Sequence, residues 1–284
     1  MVGERAPAKT YCIIGDPISH SLSPGMQNAA FSALGLNCTY ISFRVPAPEL
    51  KESIDSLRAI NVAGFNVTIP HKVAVMEYLD ELDATAKKAG AVNTVNNIEG
   101  IFKGYNTDIA GFIEPLRRRK FDFCTTVLLL GAGGAARAII AALSEEKTTG
   151  SRVVIANRDQ AKAKELAKVG GNLGLQCEAI AFEDATKVSP EAGLIVNATS
   201  IGLDNEPSPI DSDHIKKGSF VYDIVYRPVV TDLLEQAKFA QAHLVYGYEM
   251  LLEQGAKAFE IWTGLPAPRD VMKKNLLGIF GEPT

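Results

Sequence analysis

Residues 125–143, TTVLLLGAGGAARAIIAAL, run from an apolar stretch into Gly131, Gly133 and Gly134 and then into an alanine-rich segment. No other stretch restricts the fold so tightly. An apolar run that stops at glycine reads as a buried strand, and the Ala/Ile/Leu pattern after it reads as a helix packed back on the sheet. The glycines permit a tight turn and let backbone N–H groups approach a pyrophosphate, whose charge then lies at the positive end of the helix dipole. Ala136 stands at the third glycine of the pattern. Gly131, Ala132, Gly133, Gly134 and Ala135 are therefore the candidate phosphate-binding turn.

The next strand, RVVIAN, selects between dinucleotides. An acid at its end would grip the ribose hydroxyls of NAD, but the chain has Asn157 followed by Arg158. A guanidinium pairs bidentately with a 2′-phosphate, so NADP is the expected cofactor, with Asn157, Arg158 and Lys162 around that phosphate. Asp159 works against this, since a carboxylate there either repels the phosphate or favours the helix N-terminus.

Beyond this unit, TYCIIG, TYISFRV, GFNVTI, GLIVNA and FVYDIV alternate with helical stretches, the order of an α/β chain with parallel sheets. With 284 residues and 46% hydrophobic content, more than one core is expected. No fixed-period repeat or low-complexity linker marks a boundary; the run RRRK, residues 117–120, is the best marker and reads as a solvated helix end. A net charge of −4 supplies no basic excess for a nucleic-acid partner. The N-terminus MVGERAPAKT is polar and no apolar run reaches membrane-spanning length, so a cytoplasmic protein without a membrane partner is expected. Cys12, Cys38, Cys124 and Cys177 lack a CxxC, and His20, His71, His214 and His243 are scattered, which suits buried thiols and no metal.

The first half carries the substrate-binding candidates. In GFNVTIPHK, residues 64–72, alternation puts Phe65, Val67 and Ile69 on one face and Asn66 and Thr68 on the other, and Lys72 follows the proline. In SHSLSP the residue before proline is held extended, so Ser21 and Ser23 can project to one side; Ser23 before Pro24 also reads as a helix N-cap. AVNTVNN and GYNTD add Asn93, Asn106 and Asp108. So many hydroxyls and carboxamides ahead of a nucleotide fold point to a polyhydroxylated small molecule. EMLLEQGAKAFEIW reads as a helix beginning near Tyr248, with Met250, Gln254, Lys257 and Ile261 on one side.

Taken in order, GDPISHSLSP, GFNVTIPHK, GAVNTV, GYNTD, GAGGAARA, NR, NATSIGL, YDIVY and MLLEQGAKAFEIWTG resemble the shikimate dehydrogenase family across nearly the whole chain. The resemblance implies two α/β domains. Residues 1–108 plus 248–284 would form a substrate-binding catalytic domain, and residues 109–247 an NADP-binding domain with a Rossmann-like doubly wound parallel sheet. It implies reversible reduction of 3-dehydroshikimate to shikimate in aromatic amino-acid biosynthesis. By the same carry-over, Ser21 and Ser23 would hold the substrate carboxylate, while Thr68, Asn93, Asp108 and Gln254 would bind ring hydroxyls. Asn66 and Tyr226 would join the substrate set, and Thr199, Gly247 and Met250 would line the nicotinamide. Lys72 and Asp108 would be the catalytic pair, with the ammonium stabilising the oxygen that gains charge as hydride arrives. Relatives act on quinate, which leaves a relaxed shikimate/quinate enzyme as an alternative. A non-catalytic dinucleotide-responsive regulator and a scaffold partner are others, and a monomer and a homodimer both fit.

Overall fold

A computed structural model describes residues 7–146 and 151–280. They divide into two units, residues 7–108 with 252–280 and residues 109–146 with 151–251. The start of the polar N-terminal stretch and the end of the 248–284 range lie outside the described residues.

The first unit contains β1 (Lys9–Gly15), α1 (Ser23–Ala33), β2 (Cys38–Arg44), α2 (Leu50–Ala59), β3 (Gly64–Val67), β4 (Glu81–Leu82), α3 (Ala84–Ala89), β5 (Thr94–Ile98) and β6 (Ile101–Tyr105). The sheet order is β2-β1-β3-β5-β6-β4. β5 runs antiparallel to both of its neighbours, and the other pairings are parallel. Glu99 and Gly100 close the β5–β6 hairpin with φ of 54° and 92°, the paired positive values that a two-residue hairpin turn needs. The strand expected to run through Ile69 ends at Val67. His71 N–H closes a turn onto the Thr68 carbonyl, and Ile69 leaves the face of Phe65 and Val67 to stand 55% exposed.

α4 (Asp108–Arg118) begins at the division between the units. The basic run expected to mark a boundary instead lies at the end of α4, inside the second unit. It is ion-paired, with Arg117 on Glu114 and Glu146 and Arg119 on Glu249.

The second unit continues with β7 (Thr126–Leu130), α5 (Gly134–Leu143), β8 (Arg152–Asn157), α6 (Gln160–Asn172), β9 (Gln176–Ala181), α7 (Ala185–Val188), β10 (Leu194–Asn197), β11 (Phe220–Asp223), α8 (Asp232–Phe239) and β12 (His243–Val245). All pairings are parallel, in the order β12-β11-β10-β7-β8-β9. Counted within the unit this is 6-5-4-1-2-3, the doubly wound arrangement whose direction of winding reverses between β7 and β10. The central strands are mainly apolar, with Thr126 opening β7 and Asn197 ending β10, because a parallel sheet is covered on both faces.

α9 (Gly247–Thr263) starts in the second unit and crosses into the first at Leu252, and α10 (Arg269–Phe280) follows it. Aromatic packing explains the return. Trp262 donates its indole N–H to the Val95 carbonyl at 2.9 Å, and its ring centroid lies 4.9 Å from Tyr11 and 5.9 Å from Tyr40. A Cβ on Gly64 would sit 2.7 Å from Trp262 Cδ1 and 2.8 Å from the Val95 carbonyl oxygen, so β3 needs glycine under the indole. Arg269 then clips α10 to α9 through Glu253 and Glu260.

Candidate active site

In the first unit Lys72, Asp108, Asn93, Asn66 and Ser23 are joined in one hydrogen-bonded chain. Lys72 follows the turn that ends β3 and is anchored on both sides. The buried His71 ring donates to the Val45 carbonyl, and the Lys72 carbonyl accepts from Val92 N–H at 2.7 Å. Its Nζ lies 2.6 Å from Asp108 Oδ2, with the two side chains only 15% and 6% exposed. Asp108 is the first residue of α4, where a carboxylate is favoured by the helix dipole. Its other oxygen accepts from Asn93 Nδ2 at 2.8 Å. Asn93 Oδ1 in turn accepts from Thr107 N–H, and its neighbour Thr94 accepts from Asn66 Nδ2. Asn66 Oδ1 accepts from the Tyr40 hydroxyl at 2.6 Å, and Ser23 is hydrogen-bonded to that hydroxyl. Burial holds the Tyr40 pKa well above its ordinary value, so the phenol stays a neutral donor.

The serines differ from both expectations drawn for them. Leu22 occupies the N-cap position of α1 without a side-chain bond and Ser23 is the first helical residue, so Ser23 is neither extended nor the cap. The turn begins a residue earlier because Met26 N–H bonds to the Leu22 carbonyl, and Pro24 falls where a missing N–H is tolerated. Ser21, half-buried, accepts from Ser23 N–H at 3.4 Å. Thr68 is half-buried at the turn before Lys72, outside the hydrogen-bonded chain. Gln254 is half-buried on α9, and the adjacent Gly255 carbonyl accepts from the fully buried Gln27 at 2.9 Å.

In the second unit Gly131 follows β7 with φ of 108°, and a Cβ there would lie 2.9 Å from the Ala198 carbonyl oxygen. Gly133 forms the N-cap of α5 without a side-chain hydrogen bond, and a Cβ on it would meet nothing within 4 Å. Glycine at the N-cap supplies no side-chain acceptor to the first N–H groups of α5, around Gly134 and Ala135, and a turn of this kind before a helix N-terminus, with Ala132 in it, fits a dinucleotide pyrophosphate. At the end of β8, Asn157 Nδ2 donates to the Asp159 carbonyl at 2.8 Å. Asp159 caps α6, its Oδ1 accepting from Ala161 N–H and Lys162 N–H, while Lys162 Nζ is 3.7 Å from Asp159 Oδ2. Arg158 is exposed and forms no ion pair among the described residues. Thr199 donates its hydroxyl to Asn197 Oδ1 at 2.6 Å, and Met250 is buried on the first turns of α9. Tyr226 is half-buried, its pKa raised by burial, and belongs to this unit rather than to the one holding the other substrate-binding candidates.

Family models match residues 13–95 as a shikimate dehydrogenase substrate binding domain, residues 116–209 as shikimate/quinate 5-dehydrogenase and residues 247–277 as a shikimate 5′-dehydrogenase C-terminal domain. The shikimate dehydrogenase (NADP(+)) of Nitrosopumilus maritimus is 50% identical over 273 residues, 96% of this chain and 99% of that one. The chain belongs to the shikimate dehydrogenase family. Among solved structures, shikimate dehydrogenase from Aquifex aeolicus matches with a TM-score of 0.86 at 40% identity, over 95% of this chain and 97% of that one. Quinate dehydrogenase from Corynebacterium glutamicum, in complex with NAD, matches with a TM-score of 0.88 at 29% identity, over 95% and 99%.

Four residues that hydrogen-bond to the candidates, or to the segments that carry them, have no sequence motif of their own: Tyr40 and Thr94 in the first unit, Asn197 and Asp223 in the second. Tyr40 lies in an edge strand that reads as ordinary β-structure. Thr94, Asn197 and Asp223 sat inside quoted motifs, and a polar residue ending or opening an apolar strand was the available signal. Among the described residues no cluster of three or more His, Cys, Asp or Glu could hold a metal, and no helix is long and apolar enough to cross a membrane.

Proposed function

We propose that the chain catalyses the reversible, NADP-dependent reduction of 3-dehydroshikimate to shikimate by hydride transfer, a step of aromatic amino-acid biosynthesis. The observation that carries this reading is the buried contact between Lys72 Nζ and Asp108 Oδ2, oriented by Asn93. A binding module would have no use for an ammonium and a carboxylate taken out of water and held in register.

When bound, the dinucleotide supplies the hydride or takes it up. The first amides of α5 hold its pyrophosphate, and Arg158 with Lys162 pairs its 2′-phosphate. Ser21 and Ser23 hold the substrate carboxylate, and Thr68, Asn93, Asp108 and Gln254 orient the ring through its hydroxyls. The Lys72 ammonium stabilises charge developing on the carbonyl oxygen and donates the proton that completes the alcohol. Asp108 keeps that ammonium aimed and accepts a hydrogen bond from the neighbouring ring hydroxyl. The capping geometry of Asp159 supports NADP over NAD, because its Oδ1 is engaged by the amides of α6 rather than left to a ribose.

A spectrophotometric assay at the reduced-nicotinamide absorbance, crossing shikimate and quinate with NADP and NAD, tests the reading. Turnover concentrated in the shikimate and NADP pair is expected. Equal rates with quinate would favour the relaxed enzyme, and no turnover with any pair would favour the regulator.

A further inference from the structure

The proposed mechanism leaves one buried ionisable group unused. Asp223 ends β11 and is 0% exposed. Its Oδ1 accepts from Val225 N–H and from Asn197 Nδ2, both at 2.9 Å, and its Oδ2 accepts from the Thr231 hydroxyl at 2.6 Å. The groups facing it from β10, from the chain after β11 and from the N-cap of α8 are therefore all neutral donors. The neighbouring Asp232 turns instead to Ser208 N–H. Burial without a cation raises the pKa of Asp223 to about 6. A carboxylate in such a place is unfavourable unless the geometry it imposes is needed.

Two of its three partners, Asn197 and Val225, lead to the proposed nicotinamide end, while Thr231 caps α8. Asn197 accepts the Thr199 N–H and hydroxyl on its Oδ1, at 3.1 and 2.6 Å, which sets the 197–199 segment against Gly131. The bond from Val225 N–H bends the chain after β11 into Tyr226. Gly247 lies against that same bend, where a Cβ would run into the carbonyl oxygens of Ile224 and Val225. We propose that Asp223 is a positioning residue that holds Thr199 on one side and the Tyr226 and Gly247 segments on the other in the arrangement that receives the nicotinamide. The role rests on the reading of Thr199 and Gly247 as the nicotinamide side and of Arg158 as the 2′-phosphate side.

Calorimetric titration with NADP and with adenosine 2′,5′-bisphosphate separates the two ends, because the second ligand keeps the 2′-phosphate and has no nicotinamide. Asp223→Asn preserves shape but turns an amide donor toward groups that are themselves donors. NADP affinity is expected to fall about tenfold while the bisphosphate binds within about twofold of wild type. The swap of Asn197→Asp with Asp223→Asn restores a carboxylate–amide pair in reversed order, gives up the Asn197 bond to the Ile201 carbonyl, and is expected to recover at least half of the lost NADP affinity on a logarithmic scale, which a general loss of packing would not allow. If Asp223→Asn alone does not fold, the swap is measured directly, and a loss shared by both ligands refutes the role. Equal weakening of both ligands in a folded Asp223→Asn protein, or no change in either, overturns the proposal. Wild-type protein that binds neither ligand would overturn the cofactor reading and the proposal with it, an outcome distinguished by its appearance before any substitution.

Discussion

At the scale of single residues, Lys72 is the point where the polar chain of the first unit ends in a charge. If that charge stabilises the reacting oxygen, Lys72→Ala lowers kcat by about 10²- to 10⁴-fold with KM little changed, the range for a positioned acid. Steady-state rates at saturating shikimate check this, and near-normal turnover would remove Lys72 from the chemistry. Tyr40 is the least visible member of the chain, yet it joins Ser23 to Asn66. Tyr40→Phe leaves Asn66 Oδ1 inside the core without its donor, which destabilises the protein by about 1–3 kcal/mol. The same substitution releases Ser23, so KM for shikimate is expected to rise several-fold with kcat near wild type. An unchanged KM would make Tyr40 a packing residue only. The residues proposed for direct chemistry are legible because their motifs are local. Tyr40 is not, because its partners lie 26 positions away and in a separate helix start.

Among the elements, the junction of β8 and α6 is the proposed seat of cofactor choice. Asp159 caps the helix through two N–H groups, and a serine can make a similar cap without the charge. Asp159→Ser is therefore expected to lower KM for NADP severalfold, leave KM for NAD unchanged and keep the melting temperature within a few degrees. If both cofactors respond alike, Asp159 acts through the helix and not through charge. The β7–α5 turn was readable from sequence because its glycines have a single local use. β4, β5, β6, β9 and β12 carry no clear strand signal, since TVNNI, IFKGY and QCEAIA mix polar and apolar residues, EL spans only two and HLV only three. The end of β3 at Val67 was misread for another reason: the turn is closed by a backbone bond that alternation of side chains does not report.

For the molecule as a whole, the return of α9 and α10 to the first unit has a direct consequence. Tyr11, Tyr40 and Phe31 are covered by Trp262 and Phe259, so a fragment ending at residue 108 would expose them. That fragment is expected to lack cooperative unfolding and dispersed amide resonances; a sharp transition in it would show that the C-terminal helices are dispensable for the core. A second consequence concerns pH. The folded pKa of Asp223 is raised from 3.8 to about 6, so folding favours the protonated form. Its contribution to stability is fully present below about pH 4 and is lost as pH rises through 6, by about 3 kcal/mol in all. Denaturant unfolding at pH 4, 5, 6 and 7 should show wild-type stability declining relative to Asp223→Asn by that order, and parallel curves would contradict it. The amino-acid sequence by itself determined the glycine turn, the α/β class, the family and the residues fit for the chemistry, because each is written in short stretches or in their order. Tertiary structure alone decided the antiparallel β5, the seat of Trp262 on a carbonyl 167 positions away, and the partners of Asn66, Asn93 and Asp223. A polar side chain's partner is set by which distant segments fold against it, and no local pattern carries that.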